Sequence, residues 1–221
     1  MNSLRKTSLV AGLFYLLTFV SIPTLSLYGA VRQANFIAGP GPDTPVFVGA
    51  VLEIIVALAG IGTAVVLYPV VKRQGQARAL GFVASRTLEA AAITAGVTTL
   101  LSIVTLRQAG VGAAGLITGQ ALAAQYSWMF HVSQSFIPIV NAALLGSLLY
   151  QSRLVPRWLP VLGFVGAALL LAVWFAVLFG LIGQQATPAG IAGLTIAAWE
   201  FSLGIYLTFW GFKSSPVTAD M

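Results

Sequence analysis

Six stretches of this chain, roughly 8–30, 46–71, 79–104, 121–150, 159–183 and 191–212, are each long and apolar enough to cross a bilayer. A helical span needs about 20 mostly apolar residues, because in lipid every backbone N–H and C=O must be satisfied within the segment. The runs are far too long for strands and lack strict alternation, which argues against a β-barrel. Composition agrees: 58% of the 221 residues are hydrophobic and only 7% are charged, whereas a soluble domain draws about a quarter of its residues from the charged types. The expected fold is all-α, a polytopic membrane helix bundle with six transmembrane helices. It is read as a single domain over residues 1–221, with the lipid bilayer as its constant partner.

The first run follows Arg5 and Lys6, as a secretory signal would. Its charge-free stretch from Thr7 to Val31 exceeds the about 7–15 residues of a signal core, so it is read as a retained span. The fourth run is about 30 residues long with Pro138 inside, and a tilt or kink is expected there. If the spans alternate, Arg5, Lys6, Lys72, Arg73, Arg78, Arg153, Arg157 and Lys213 share one side, and only Arg32 and Arg107 take the other. That bias places both termini in the cytoplasm and the protein in the cytoplasmic (inner) membrane. Tyr68, Tyr150, Trp158 and Trp210 then mark the inner edge, and Tyr28, Tyr126 and Trp128 the outer one.

Several function classes fall away. The net charge of +6 comes from short clusters between apolar runs, the pattern of topology signals and not of a phosphate-tracking stripe, so nucleic acid is not an expected partner. With no cysteine and one histidine, His131, thiol chemistry, iron–sulfur clusters, bis-histidine haem and multi-histidine metal sites are out. The loop from Gly110 to Gly115 reads G-x-G-x-x-G, but it follows a membrane span and not a strand, so it is read as a flexible loop and not a dinucleotide site. No cofactor and no metal are expected.

One internal echo stands out. "LYPVVKRQGQARALGFV" (67–83) and "LYQSRLVPRWLPVLGFV" (149–165) share Leu-Tyr and Leu-Gly-Phe-Val at identical spacing. Either this is a parallel two-helix repeat offset by 82 residues or it is a coincidence of an apolar alphabet. If a repeat, Arg86 and Glu89 correspond to Ala168 and Leu171, so the scaffold itself does not demand charges there.

Five ionisable residues fall within spans: Glu53, Arg86, Glu89, His131 and Glu200. Each is costly in lipid, by about 2.5–3.5 kcal/mol on insertion scales for Arg or Asp at mid-helix, and such residues are functional by default. Helical spacing puts Glu53 on a face with Gly49, Ala57, Gly60 and Ala64, and Glu200 with Gly193, Ala197, Gly204 and Thr208. Both acids therefore point into helix interfaces. His131 shares a polar stripe with Ser127, Gln134, Pro138 and Asn141, which makes Gln134 and Asn141 supporting candidates. By residue count all five ionisable groups could meet in one layer. Arg86 is expected to reach a carboxylate on another helix, Glu200 first and Glu53 second, because Glu89 alone gives poor geometry for a buried guanidinium.

Three carboxylates against one guanidinium would leave a charge of −2 in low dielectric. Either some carboxyls are protonated, or a cation, a proton or a basic ligand belongs in the site. An enzyme reading, with Glu, His and Glu as metal ligands or as acid and base, lacks an H-E-x-x-H, a G-x-S-x-G and a second histidine. Catalysis is therefore not the favoured reading.

The residues also carry a family resemblance over essentially the full length. The opening "RKTSLVAGLFYLLTFV", the span end "VVLYPVVKR", the R-x-x-E-A turn from Arg86 to Ala90 and, above all, "LLYQSRLVPRWLPVLGFVGAALLL" carry it. The chain resembles the uncharacterised bacterial membrane proteins catalogued as domain of unknown function 4386. In that family the last span holds an acid matching Glu200, and the second-span acid is often Asp where this chain has Glu53. The resemblance implies six spans and no activity. The reading is thus a multi-pass membrane protein whose buried polar site binds a small ligand, proton or ion, as a transporter or sensor would. The alternative is a structural or accessory subunit whose buried charges only fix helix packing.

Overall fold

The fold, from a computed structural model, is described for residues 3–219. The first span is broken: α1 (Ser3–Leu17) passes into a 3-10 turn (Thr18–Ser21) and then a short α2 (Thr24–Leu27). The second and third spans are α3 (Thr44–Val71) and α4 (Gln76–Gln108). The fourth combines α5 (Leu116–His131), a π turn (Val132–Phe136) and α6 (Ile137–Ser152). The fifth and sixth are α7 (Trp158–Leu178) and α8 (Thr187–Phe209). All six expected spans are present, and no strand occurs among the described residues. α4, at 33 residues, is about 50 Å long and overshoots an about 30 Å hydrocarbon layer. The apolar run ends near residues 79 and 104, but helix propensity carries the chain on through "QAR" and "TLRQ".

Successive spans are neighbours, and the sixth returns to the first. α1 packs on α3, α3 on α4, α4 on α5 and α6, α6 on α7, α7 on α8, and α8 on α1. The result is a closed ring of six spans. Small residues allow its tightest approach: Gly12 of α1 lies against the backbone of Gly204 and Thr208 of α8, where a Cβ would collide. Near the same crossing Arg5 donates to the last carbonyls of α8, at 3.0 Å to Leu207 and 3.2 Å to Phe209. These are the orphan acceptors of a helix C-terminus. The start of α1 and the end of α8 thus lie on one face of the bundle, hereafter the terminal face.

The interior of the ring differs along its axis. Toward the terminal face it is filled by buried apolar side chains, among them Leu67, Phe82, Leu145, Leu149, Trp199 and Leu203. At the opposite face the segment after α2 folds back as a cap. Tyr28, Val31, Phe36 and Ile37 bury themselves against Leu100, Ile103 and Val104 of α4 and Tyr126 of α5. An ion pair of Arg107 with Asp43 and a 2.9 Å hydrogen bond from Gln108 to Asp43 hold that cap to the end of α4. The loop from Gly110 contains a further 3-10 turn, Gly112–Gly115. The two echoing sequence segments sit at matching places in the elements, since α4 begins at Gln76 and α7 at Trp158, 82 positions on.

Candidate functional site

Between the packed half and the capped half lies a layer of charge. Arg86 is ten residues into α4, and Glu89 follows one turn later on the same face. Arg86 Nη1 donates to Glu89 Oε2 at 2.9 Å, and Nη2 donates to Glu200 Oε1 of α8. Asn141 of α6 donates to the same Glu89 oxygen at 2.8 Å. The guanidinium therefore joins α4 to α8, which are not neighbours in the ring, and Glu89 ties in α6 through Asn141. Beneath the guanidinium, toward the terminal face, lie the rings of Tyr15 and Phe82, with centroids at 5.5 and 5.7 Å. Such contacts favour a desolvated cation.

Above this layer the centre of the ring is open. A cavity of about 220 Å³ is bordered by Arg86, Glu89 and Glu200, by the 3-10 turn of the first span, and by Val56, Ala57 and Gly60 of α3. Gln134 of the π turn and Gly193 and Ala197 of α8 also line it, and the remainder of the wall is apolar, with Ile93, Phe130 and Ile196 among it. That volume equals about seven waters at about 30 Å³ each. Side-chain exposure falls from 14% at Glu200 to 8% at Glu89 and 3% at Arg86, so Glu200 is the most accessible of the three.

Two helix irregularities border the cavity, and both have sequence causes. Pro23 lacks an N–H and would clash with the carbonyl four residues back, so the first span cannot continue as regular α-helix through residues 19–23. Pro138 imposes the same conflict on Gln134, and the wider π turn at Val132–Phe136 relieves it. π turns recur at functional sites. This one turns Gln134 toward the cavity, where its side chain makes no hydrogen bond among the described residues.

The π turn also explains where the expected layer comes apart. An inserted residue shifts the helix phase by about 100°, so Asn141 faces the charge layer while His131 does not. His131 instead stacks on Trp174 of α7, at 6.0 Å and an interplanar angle of 7°, and meets Trp128 edge-on at 5.7 Å. Its Nε2 and the Trp174 Nε1 are buried without partners among the described residues. Glu53 is separate for another reason. Nine residues into α3 from the opposite face, it sits about 14 Å in, too far along the axis for Arg86. It accepts hydrogen bonds from Tyr28 at 3.4 Å and Tyr126 at 3.3 Å, and Gly49 leaves room for the Tyr28 ring. Gln134 borders a small void beside Glu53 as well as the main cavity, so it stands between the two carboxylate groups.

The structure thus brings together Arg86, Glu89, Glu200 and Asn141, with Gln134 on the same cavity; Glu53 and His131 occupy their own settings. The aromatic floor was not read from the sequence. Its signal was the stripe Ser8, Ala11, Gly12 and Tyr15, the buried face of α1 at helical spacing.

Ring and charged cavity define a class: a six-span helical membrane protein with a polar centre. The chain belongs to the family described as Domain of unknown function (DUF4386), which it matches over residues 10–211. No curated protein and no solved structure matches it.

Proposed function

We propose that this protein binds a small ligand, proton or ion in the cavity above Arg86, in the manner of a membrane transporter or sensor. The observation that carries this reading is the cavity itself, since a network serving packing alone would be filled on all sides. Breaks in two spans beside a charged mid-membrane site support it as well, because discontinuous helices line the binding sites of many transporters. The packed centre toward the terminal face and the open centre above the charge layer resemble one state of an alternating-access cycle. A second reading has its own support: one guanidinium joins α4 and α8, and Asn141 adds α6, which is what a purely structural cross-link would do.

The test is thermal unfolding of the purified protein in lipid nanodiscs, across pH 5–9 and with added sodium, potassium, ammonium, methylammonium or acetate. On the binding reading at least one of these raises the midpoint in a saturable way. A midpoint indifferent to all of them would leave the structural reading.

Orientation belongs to the same proposal. Eight basic residues on the terminal face against two on the opposite face support a terminal face in the cytoplasm and a location in the inner membrane. In intact cells a cysteine at Asn35 is expected to react with an impermeant thiol reagent, and one at Gly75 is not. Labelling of Gly75 alone would reverse the orientation.

A further inference from the structure

We infer that the occupant of the central cavity is a small monovalent cation, no larger than a short primary ammonium ion, and that it arrives from the face opposite the termini along α8. The inference rests on the proposed reading of the cavity as a binding site and names its ligand class and its route.

The ligand class follows from which atoms are left over. With both carboxylates ionised, the layer carries one positive and two negative charges, 1 − 2 = −1. Arg86 spends Nη1 on Glu89 and Nη2 on Glu200 and keeps a buried, unpartnered Nε, but its single positive charge is outnumbered by the two carboxylates it holds, which disfavours an anion. Glu89 uses Oε2 for both Arg86 and Asn141, and Glu200 uses Oε1 for Arg86. Glu89 Oε1 and Glu200 Oε2 make no hydrogen bond or ion pair among the described residues, and both side chains border the cavity. The amide of Gln134 adds an uncommitted carbonyl oxygen, along with an uncommitted NH2 that can turn away from a cation. Free acceptors and one surplus negative charge, set in a largely apolar wall, suit an occupant that is small, cationic and donates hydrogen bonds. Magnesium and calcium want about six or more oxygen ligands and zinc about four, and no cluster of three or more His, Asp or Glu forms among the described residues. A volume of about 220 Å³ is below the about 300–1,000 Å³ of sites for drug-sized molecules.

The route follows from α8 and the break in the first span. Gly193, Ala197 and Glu200 share one face of α8 at steps of four and three, and all three border the cavity. A Cβ at Gly193 would meet nothing within 4 Å, so open space lies in front of it. Gly193 is about 9 Å and Glu200 about 20 Å from the start of α8. The small-residue face therefore descends from the opposite face to the carboxylate. Across from it the first span has ended its α-helix, and Ser21 and Ile22 border the cavity there. Toward the terminal face the Tyr15 and Phe82 rings close the way.

The chain has no cysteine, so single-cysteine variants in nanodiscs or intact cells give a direct test. Gly193→Cys and Ala197→Cys should react with the cationic reagent aminoethyl methanethiosulfonate at least about tenfold faster than with its anionic sulfonatoethyl counterpart, since a cleft of one sign concentrates counter-ions. Methylammonium should slow the reaction at Ala197→Cys. Leu194→Cys, on the exposed side of α8 at 70% exposure, reports the rate for a lipid-facing thiol and should remain slow with both reagents. In oriented membranes Asn35→Cys marks the required side. Equal rates for the two reagents at Gly193→Cys and Ala197→Cys would overturn the cation assignment. Rates there no faster than at Leu194→Cys, or reaction only from the Gly75→Cys side, would overturn the route. Those results leave the midpoint shifts of the wild-type protein to decide separately whether anything binds.

Discussion

Replacing Arg86 with alanine is expected to cost the protein about 3–5 kcal/mol of stability, the scale for breaking a buried ion pair by removing one partner. The guanidinium is 3% exposed and holds Glu89 and Glu200 at once. Its loss leaves two carboxylates facing each other's charge in low dielectric, and it opens a gap over the Tyr15 and Phe82 rings. Adding Glu200→Ala removes one of the stranded charges, so the double variant should be more stable than the sum of the single losses predicts. A double-mutant cycle read by denaturant unfolding in mixed micelles gives this coupling. A cost for Arg86→Ala below about 1 kcal/mol, the range of exposed pairs, would mean that the pair is solvated and the layer is not a buried site.

Glu200→Gln is expected to do the reverse, sparing the fold and abolishing binding. Glutamine keeps an acceptor oxygen for Arg86 Nη2, and Arg86 keeps its 2.9 Å pair with Glu89. The charge of the layer, however, goes from −1 to 1 − 1 = 0, and the surplus that attracts a cation is gone. Truncating one side of a desolvated charge pair costs about 2–5 kcal/mol of binding, or about 30-fold or more in Kd. The methylammonium concentration needed to raise the unfolding midpoint should therefore rise by at least that factor, while the ligand-free midpoint changes little. If methylammonium protects the variant as well as the wild type, Glu200 is not its counter-ion.

How far these features could be read from the sequence depends on the physics behind each. The six spans were legible because lipid imposes length and hydropathy on every crossing segment, and the helix pairs follow from short loops such as Lys72–Gly75. Arg86 meeting Glu200 was legible because a buried guanidinium needs a partner with free geometry, and Glu200 lies on a small-residue face. Asn141 was visible as part of a polar stripe. The division of the layer was not, since it depends on the phase of a helix across a π turn, and a stripe drawn at 3.6 residues per turn carries His131 along with Asn141. Pro138 marked the place of that irregularity without giving its form. Counting residues gave Glu53 its depth but not its neighbours: Tyr28 and Tyr126 come from a cap and from α5, which a count along one helix does not reveal. The cavity itself leaves no trace in composition, because it arises from where the first span stops.

The central claim is that the charge layer holds an occupant and is more than a cross-link between helices. Equilibrium dialysis of radiolabelled methylammonium against wild-type protein in nanodiscs, with Glu200→Gln protein alongside, tests this most directly. The account predicts saturable binding approaching one methylammonium per chain in the wild type, displaced by unlabelled methylammonium and lost in the variant. Binding absent from the wild type, or equal in the two proteins, would contradict it.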